Sequence, residues 1–290
     1  MNKLIKQAFT LIELLVVIAI IGILSGLIVV SMSGVTQKAN LAKAQVFSNS
    51  LRNALLLNLV AEYKLDGNAN NSWNQTNGTV YEAVTLTSGC VQNYCLSFDG
   101  SNDYGEATLN SFSSETISLW IKLNNYSASG KVLGINAHAQ GNNAIGSFDK
   151  ILYVNESGKA GWYVWDTAER KIIGTTSLQL NTWYNIVGVI GVGGQKIFVN
   201  GQQENINTSV VISWNGGTLF DISFNAVTAG ETNLAADHFN GLIDEVRIYN
   251  AVIPTSQIKE QYYVGLNSLL ANGSINNKEY KEKINSVARQ

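Results

Sequence analysis

The sequence predicts an α+β protein: one long N-terminal helix with a membrane-spanning segment, an all-β sandwich of jelly-roll type, and a short helical C-terminal tail. Three observations carry this. Leu14 to Met32 is a run of 19 residues without a charge, and a helix of ~20 residues spans a ~30 Å hydrocarbon core. Beyond residue 62 the apolar period changes from a helical one to alternation, as at Ile117, Leu119, Ile121 and Leu123, which is the strand period. After Pro254 the pattern is helical again. The 290 residues make one large domain or two smaller ones. Charged residues are 14% of the chain, and 19 basic against 21 acidic groups give a net charge of −2. Without a basic block, nucleic acid is not an expected partner. Two His in the whole chain exclude a His-rich metal site.

The N-terminal helix comes first. Lys3 and Lys6 precede the apolar span, so the leader stays cytoplasmic and the remainder is sent outward. A secretory signal has an apolar stretch of only ~7–15 residues ending at a small-residue cleavage site; here the run is longer. Val35, Ala39, Ala42, Val46, Leu51, Ala54, Leu55 and Leu59 continue one helical face. A single helix from about Phe9 to about Val60 follows, ~75–80 Å long by the helical rise. Glu13 is the one charge between Phe9 and Met32. A carboxylate there either snorkels to the headgroups or pairs with a positive charge inside an assembly.

The segment KQAFTLIELLVVIAIIGIL resembles the type IV pilin and pseudopilin signature, over roughly residues 3–60. The resemblance implies cleavage by a prepilin peptidase between Ala8 and Phe9 and methylation of the new Phe9 amino terminus. It also makes Glu13 the assembly carboxylate that meets the N-terminal ammonium of a neighbouring subunit. Ala8 stands where Gly is usual. Val30 stands where many major pilins carry a kinking Pro, which predicts a straighter helix.

The sandwich is expected from short strands at Cys95–Asp99, Tyr104–Ala107, Ile117–Leu123, Lys131–Ile135, Ile151–Val154, Gly161–Asp166, Lys171–Thr176, Trp183–Ile190, Gln195–Gly201, Thr218–Phe224 and Gly241–Tyr249. Asn200-Gly201 is a two-residue hairpin signal. The segments EYKLDGNANNSWNQTNGTV, CLSFDGSNDYGEATL, ETISLWIKL, LNTWYNIVGVIGVGGQKIFVNGQ and GLIDEVRIYNAVIPTSQIKEQYY, in that order, resemble a laminin G-like, concanavalin A-like jelly roll over residues 62–263. That superfold includes lectins, carbohydrate-binding modules and some glycosidases, and fold does not fix function. The expected division is leader 1–8, pilin-type helix 9–61 with its membrane span at about 9–32, jelly roll 62–263 and tail 264–290. The tail reads as a short helix, a break at Gly273 and a second, charged helix, standing as a solvated appendage.

Chemistry is sparse. Retaining glycosidases need two carboxylates ~5–5.5 Å apart, and no acidic triplet of that fold is present. Asp244 and Glu245 are adjacent, which on a regular strand sends them to opposite faces; no enzymatic activity is expected. Cys90 and Cys95 have no zinc-ligand partners near them, and outside the cytoplasm such a pair oxidises. Asp66, Asn68, Asn70 and Asn71 crowd one loop with oxygen donors that suit a hard cation. The jelly-roll resemblance adds Asp244, so Asp66, Asn71 and Asp244 are the expected ligands of a structural calcium ion; an Asn-rich turn without metal is the alternative. Trp120 and Trp183 fall in strand patterns and are expected in the core. Trp73 and Trp214 lie beside turn residues and are candidates for stacking on a ligand.

The expected function is a type IV pilin-like filament subunit, minor or at the tip, whose lectin-like head binds surface glycans or a protein ligand. Its partners are other pilin subunits, the prepilin peptidase and the membrane. It is held in the cytoplasmic (inner) membrane by a single pass with the head outside, and moves to the cell surface or pilus after processing. The alternatives are a pseudopilin of a secretion or DNA-uptake machine and a membrane-tethered carbohydrate-active enzyme.

Overall fold

The computed structural model describes residues 11–22, 43, 46, 58–74, 76–110, 112, 114–126, 130–137, 148–165, 168–210, 219–224 and 239–288. The chain forms two compact units, Met1–Phe47 and Ser48–Gln290. In the first, residues 11–22 are helical (α1) and so are 43 and 46. Leu11, Ile12, Leu14, Leu15, Ile18 and Ile21 are exposed along α1, as the apolar run requires if its solvent is lipid. Among the described residues no helix is long and apolar enough to cross a membrane. Ala8, Phe9 and the outer part of the expected span at 9–32 lie outside the described residues.

The second unit is an antiparallel sandwich. One sheet has eight strands in the order β13-β12-β11-β6-β15-β4-β3, with β1 also paired to β15; the other has seven in the order β10-β9-β8-β7-β14-β5-β2. The strands of the first sheet are β1 (Leu59–Tyr63), β3 (Val84–Leu86), β4 (Cys95–Asp99), β6 (Glu115–Leu123), β11 (Trp183–Gly191), β12 (Gly194–Val199), β13 (Gln202–Asn207) and β15 (Asn240–Tyr249). Those of the second are β2 (Thr79–Tyr81), β5 (Tyr104–Asn110), β7 (Gly130–Ala137), β8 (Phe148–Val154), β9 (Lys159–Trp165), β10 (Glu169–Ser177) and β14 (Leu219–Phe224). The alternating apolar residues Ile117, Leu119, Ile121 and Leu123 meet Leu152, Val154, Trp162, Val164 and Ile172 in the core between the sheets. Asn200 (φ 52°) and Gly201 (φ 77°) make the β12–β13 turn; two left-handed residues in succession suit the twist of a two-residue hairpin.

The helix expected to run to about Val60 stops earlier, because Leu59–Tyr63 is strand β1, antiparallel to β15. A bulge between Leu59 and Ala61 sends Leu59 to the outer face while Ala61 and Tyr63 enter the core. This irregular spacing hides the strand from a period-2 reading. Strands β2, β3 and β13 also lie outside the expected set; the first two are three residues long, and QQENIN of β13 has no apolar alternation. Side chains tie it to the other sheet instead. Glu204 accepts the Thr175 and Thr176 N–H groups at 2.8 and 3.1 Å, and Asn205 Nδ2 donates to the Ile173 carbonyl at 3.0 Å. Gln195 Nε2, on β12, donates to the Trp162 carbonyl at 2.7 Å.

The tail departs from expectation too. Helix α2 (Thr255–Ala271) runs without a break across the boundary expected at 263/264, and α3 (Asn277–Ala288) follows the turn at Gly273. Neither is a solvated appendage. Ile258, Gln261, Tyr262, Gly265, Leu266 and Leu269 form the buried stripe of α2, on the outer face of the eight-stranded sheet. A Cβ on Gly265 would stand 2.3 Å from the Trp120 ring, so glycine is what lets the helix rest on that indole. Tyr262 stacks on Trp120 with ring centroids 5.7 Å apart. Helix α3 begins with a reciprocal cap: Asn276 Oδ1 accepts the Glu279 N–H at 3.0 Å and Glu279 Oε2 accepts the Asn276 N–H at 2.8 Å.

Candidate functional site

Strand β15 carries a polar stretch, Asp244, Glu245 and Arg247, among residues that are mostly buried. Its neighbours Ile243 and Val246 both point into the core, three residues apart instead of two. A bulge between Asp244 and Arg247, with Glu245 at φ 51°, absorbs the extra residue. Asp244 and Glu245 therefore share the outer face, against the expectation of opposite faces. Both are buried, at 0% and 3% exposure.

Hydrogen bonds and an ion pair engage both carboxylates. Asp244 Oδ2 accepts the Val91 and Gln92 N–H groups at 2.8 and 3.1 Å, and Oδ1 is buried without a partner. Glu245 pairs with Arg247, whose Nε reaches Glu62 Oε1 at 3.0 Å. Burial pushes the Asp244 carboxyl well above the usual carboxylate range, and the Glu245 charge pushes it further, against the N–H groups it accepts. Burial also raises Glu245, with Arg247 opposing.

The other two expected calcium ligands are equally engaged. Asp66 Oδ1 accepts the Tyr94 N–H at 2.9 Å and Oδ2 the Asn93 amide at 3.3 Å. Asn71 Oδ1 accepts the N–H groups of Glu62, Trp73 and Asn74 at 3.1, 3.0 and 3.3 Å. Asp66 and Asp244 thus meet at the loop between Cys90 and Cys95, while Asn71 caps β1. Among the described residues no group of three or more His, Cys, Asp or Glu is placed to hold a metal ion. N–H groups occupy Asp66, Asn71 Oδ1 and Asp244 Oδ2, while Asp244 Oδ1 is left without a partner. Cys90 and Cys95 are joined in a disulfide with their Cα atoms 5.5 Å apart.

The sign of the pH effect follows. A carboxyl raised in the folded state binds its proton there at a pH where the unfolded chain has already lost it. Asp244 therefore stabilises the fold below its unfolded pKa of ~3.9 relative to neutral pH, and that contribution is lost as pH rises to the folded value. Asp244→Asn keeps an acceptor for Val91 and Gln92 and removes the charge. Its melting temperature should show a flatter pH profile above about pH 4 than the wild type. Asp244→Ala orphans two N–H groups and should cost roughly 1–3 kcal/mol. Parallel pH profiles for the wild type and the Asn variant would refute the assignment.

A second surface lies on the outer face of the seven-stranded sheet. Trp162, Val164, Leu152, Val154 and Ile172 point inward, so Tyr163, Tyr153, Lys171 and Ile173 point outward. A Cβ on Gly161 would stand 2.2 Å from the Tyr153 ring, which therefore lies flat across that glycine. Lys171 Nζ is 5.5 Å from the Tyr163 ring centroid, and Ile173 is 40% exposed. Towards the other edge Tyr81 and Tyr104 stack at 4.5 Å. The sequence carried a signal for this face in Gly161 opposite Tyr153 and in Tyr163 between two inward residues. Tryptophan drew attention away from it. Of the tryptophans, Trp120 and Trp183 are buried and Trp73 is 36% exposed; Trp214 lies outside the described residues.

Two packed antiparallel sheets with helices covering one outer face make a jelly-roll sandwich. Residues 99–259 match the concanavalin A-like lectin/glucanases superfamily, and the chain belongs to it. Residues 5–29 match the prokaryotic N-terminal methylation motif, so this jelly roll follows a pilin-type N-terminus. The chain is 40% identical over 81 residues to the type II secretion system core protein G of Escherichia coli (strain K12), across 28% of this chain and 52% of that protein. It thus spans about half the length of that curated relative. Among solved structures it resembles domain 4 of AbnA, an extracellular arabinanase from Geobacillus stearothermophilus, in complex with arabinotriose. There the TM-score is 0.52 and the identity 16%, over 70% of this chain and 97% of that one. It also resembles the binding domain of Paraclostridial Mosquitocidal Protein 1, with TM-score 0.56 and 16% identity over 73% and 53%. Trypanosoma rangeli sialidase gives 0.52 and 13% over 70% and 32%. At these identities the likeness shows the fold alone.

Proposed function

We propose that this chain is a minor or tip subunit of a type IV pilin-like filament, whose head binds a surface glycan without turning it over. The observation that carries the reading is the methylation motif at residues 5–29 on the same chain as a jelly roll. The helix supplies membrane anchorage and filament packing, with the head outside the cytoplasm. Sugar rings stack on aromatic faces, and Tyr153, Tyr163, Tyr81, Tyr104 and Trp73 are among the described side chains that suit this. Asp244 and Glu245 are buried and spent on N–H groups and Arg247, which argues for binding rather than hydrolysis. Similarity to a type II secretion core protein favours one second reading, a pseudopilin whose head binds a protein partner.

The test is the mature terminus. Mass spectrometry of membrane or fibre material should find a chain beginning at Phe9 with one added methyl group. A mature chain starting at Met1, or after Met32, sinks the pilin reading. Isolated surface fibres containing the subunit would separate pilin from pseudopilin. Calcium enters as an expectation from the sequence. A melting temperature raised several degrees by calcium over chelator, and lost in Asp66→Ala, would establish a site; superimposed curves would remove it.

A further inference from the structure

The Cys90–Cys95 bond lies under the two C-terminal helices. The cysteines are 1% and 0% exposed, in one apolar cluster with Trp120, Trp183, Leu266, Leu269 and Val287. The loop is also tied down from distant parts of the chain. Trp183 Nε1 donates to the Gly89 carbonyl at 2.8 Å, and Asn272 Nδ2, at the end of α2, to the Cys90 carbonyl at 2.9 Å. Asp244 takes the Val91 and Gln92 N–H groups. Thiol–disulfide exchange needs a thiolate to reach a sulfur atom directly. With α2 and α3 docked, neither sulfur offers that approach.

We infer that Cys90 and Cys95 are oxidised by an external protein disulfide before α2 and α3 dock, and that docking then seals the bond. One cysteine thiolate attacks a sulfur of the oxidant, expelling its other sulfur as a thiolate. The second cysteine attacks the mixed disulfide and releases the oxidant as a dithiol. Two electrons and the two thiol protons pass to the oxidant. The order suits synthesis, because the cysteines precede α2 by about 160 residues, roughly 8–30 s at ordinary elongation rates. The inference rests on the proposed placement of the head outside the cytoplasm, where such an oxidant is available.

The experiment uses the full chain, purified in its oxidised form. Under native conditions with dithiothreitol, thiol labelling read by mass should show Cys90 and Cys95 reduced at least ~100-fold more slowly than in Val287→Asp, which releases α3. If that variant does not fold, the wild type in rising urea serves instead: reduction should accelerate before the β-sheet circular dichroism of the sandwich changes. In the forward direction, a thioredoxin-fold oxidase in its disulfide form should oxidise the unfolded dithiol chain at least ~100-fold faster than the folded one. Native wild type reduced as fast as the unfolded chain, or folded dithiol oxidised at the unfolded rate, overturns the inference. These rates do not depend on where the mature chain begins, so this test and the terminus test fail separately.

Discussion

Lys150→Ala should destabilise the head by about 3–5 kcal/mol, because it leaves a carboxylate buried in the sandwich without its counter-ion. Lys150 and Glu115 are 3% and 2% exposed and form an ion pair across the two sheets; Lys150 Nζ also donates to the Phe112 carbonyl at 3.0 Å. Burial raises the Glu115 carboxyl, and the Lys150 charge opposes the rise. The loss should therefore shrink in acid, where Glu115 takes up a proton, and grow towards neutral pH. Replacing both partners, Lys150→Met with Glu115→Leu, should recover most of the stability, since the cost comes from the uncompensated charge. Urea denaturation of the single and double variants at two pH values measures this. A single variant within ~1 kcal/mol of wild type at neutral pH would contradict it.

Glu13→Ala is expected to leave membrane insertion intact and to lower incorporation into filaments by at least ~10-fold, if Glu13 meets the Phe9 ammonium of a neighbouring subunit in a low-dielectric environment. Removing a carboxylate from an apolar helix does not hinder insertion, so insertion should hold while incorporation falls. Subunit in the membrane fraction and subunit in sheared fibres are measured side by side. Normal fibre yield from the variant would refute the assembly role.

Local periodicity reached most of the sandwich. Eleven strands were legible because core residues alternate along them, as at Ile117–Leu123, and the Asn200-Gly201 turn because left-handed backbone needs those residue types. Strand β1 was not legible: Leu59 fits the end of a helical face as well as a bulged strand. Strand β13 was not, because its partners are Glu204 and Asn205 contacts to another sheet, which no local pattern encodes. The tail looked solvated because α3 is rich in Lys and Glu; Val287 and the Gly265–Trp120 contact, which dock the helices, are single positions. For the site, residue chemistry found the cysteine pair and Asp66, and the jelly-roll resemblance added Asp244, which meets Asp66 at the same loop. The N–H groups of residues 91–94 that both carboxylates accept come from backbone conformation, which no residue pattern encodes. The bulge at Glu245 overrode the simple alternation that separated two acidic neighbours.

The side chains that tie β13 and β12 to the second sheet bear on crowding. In the proposed setting at the cell surface, the head would meet strands and sheet edges of other proteins. A bare strand edge in that setting is a template for pairing with another chain. Glu204 holds the Thr175 and Thr176 N–H groups, and Asn205 holds the Ile173 carbonyl, so part of the β10 edge is already spoken for within the same molecule. That closure withholds those backbone groups from a strand of any other molecule.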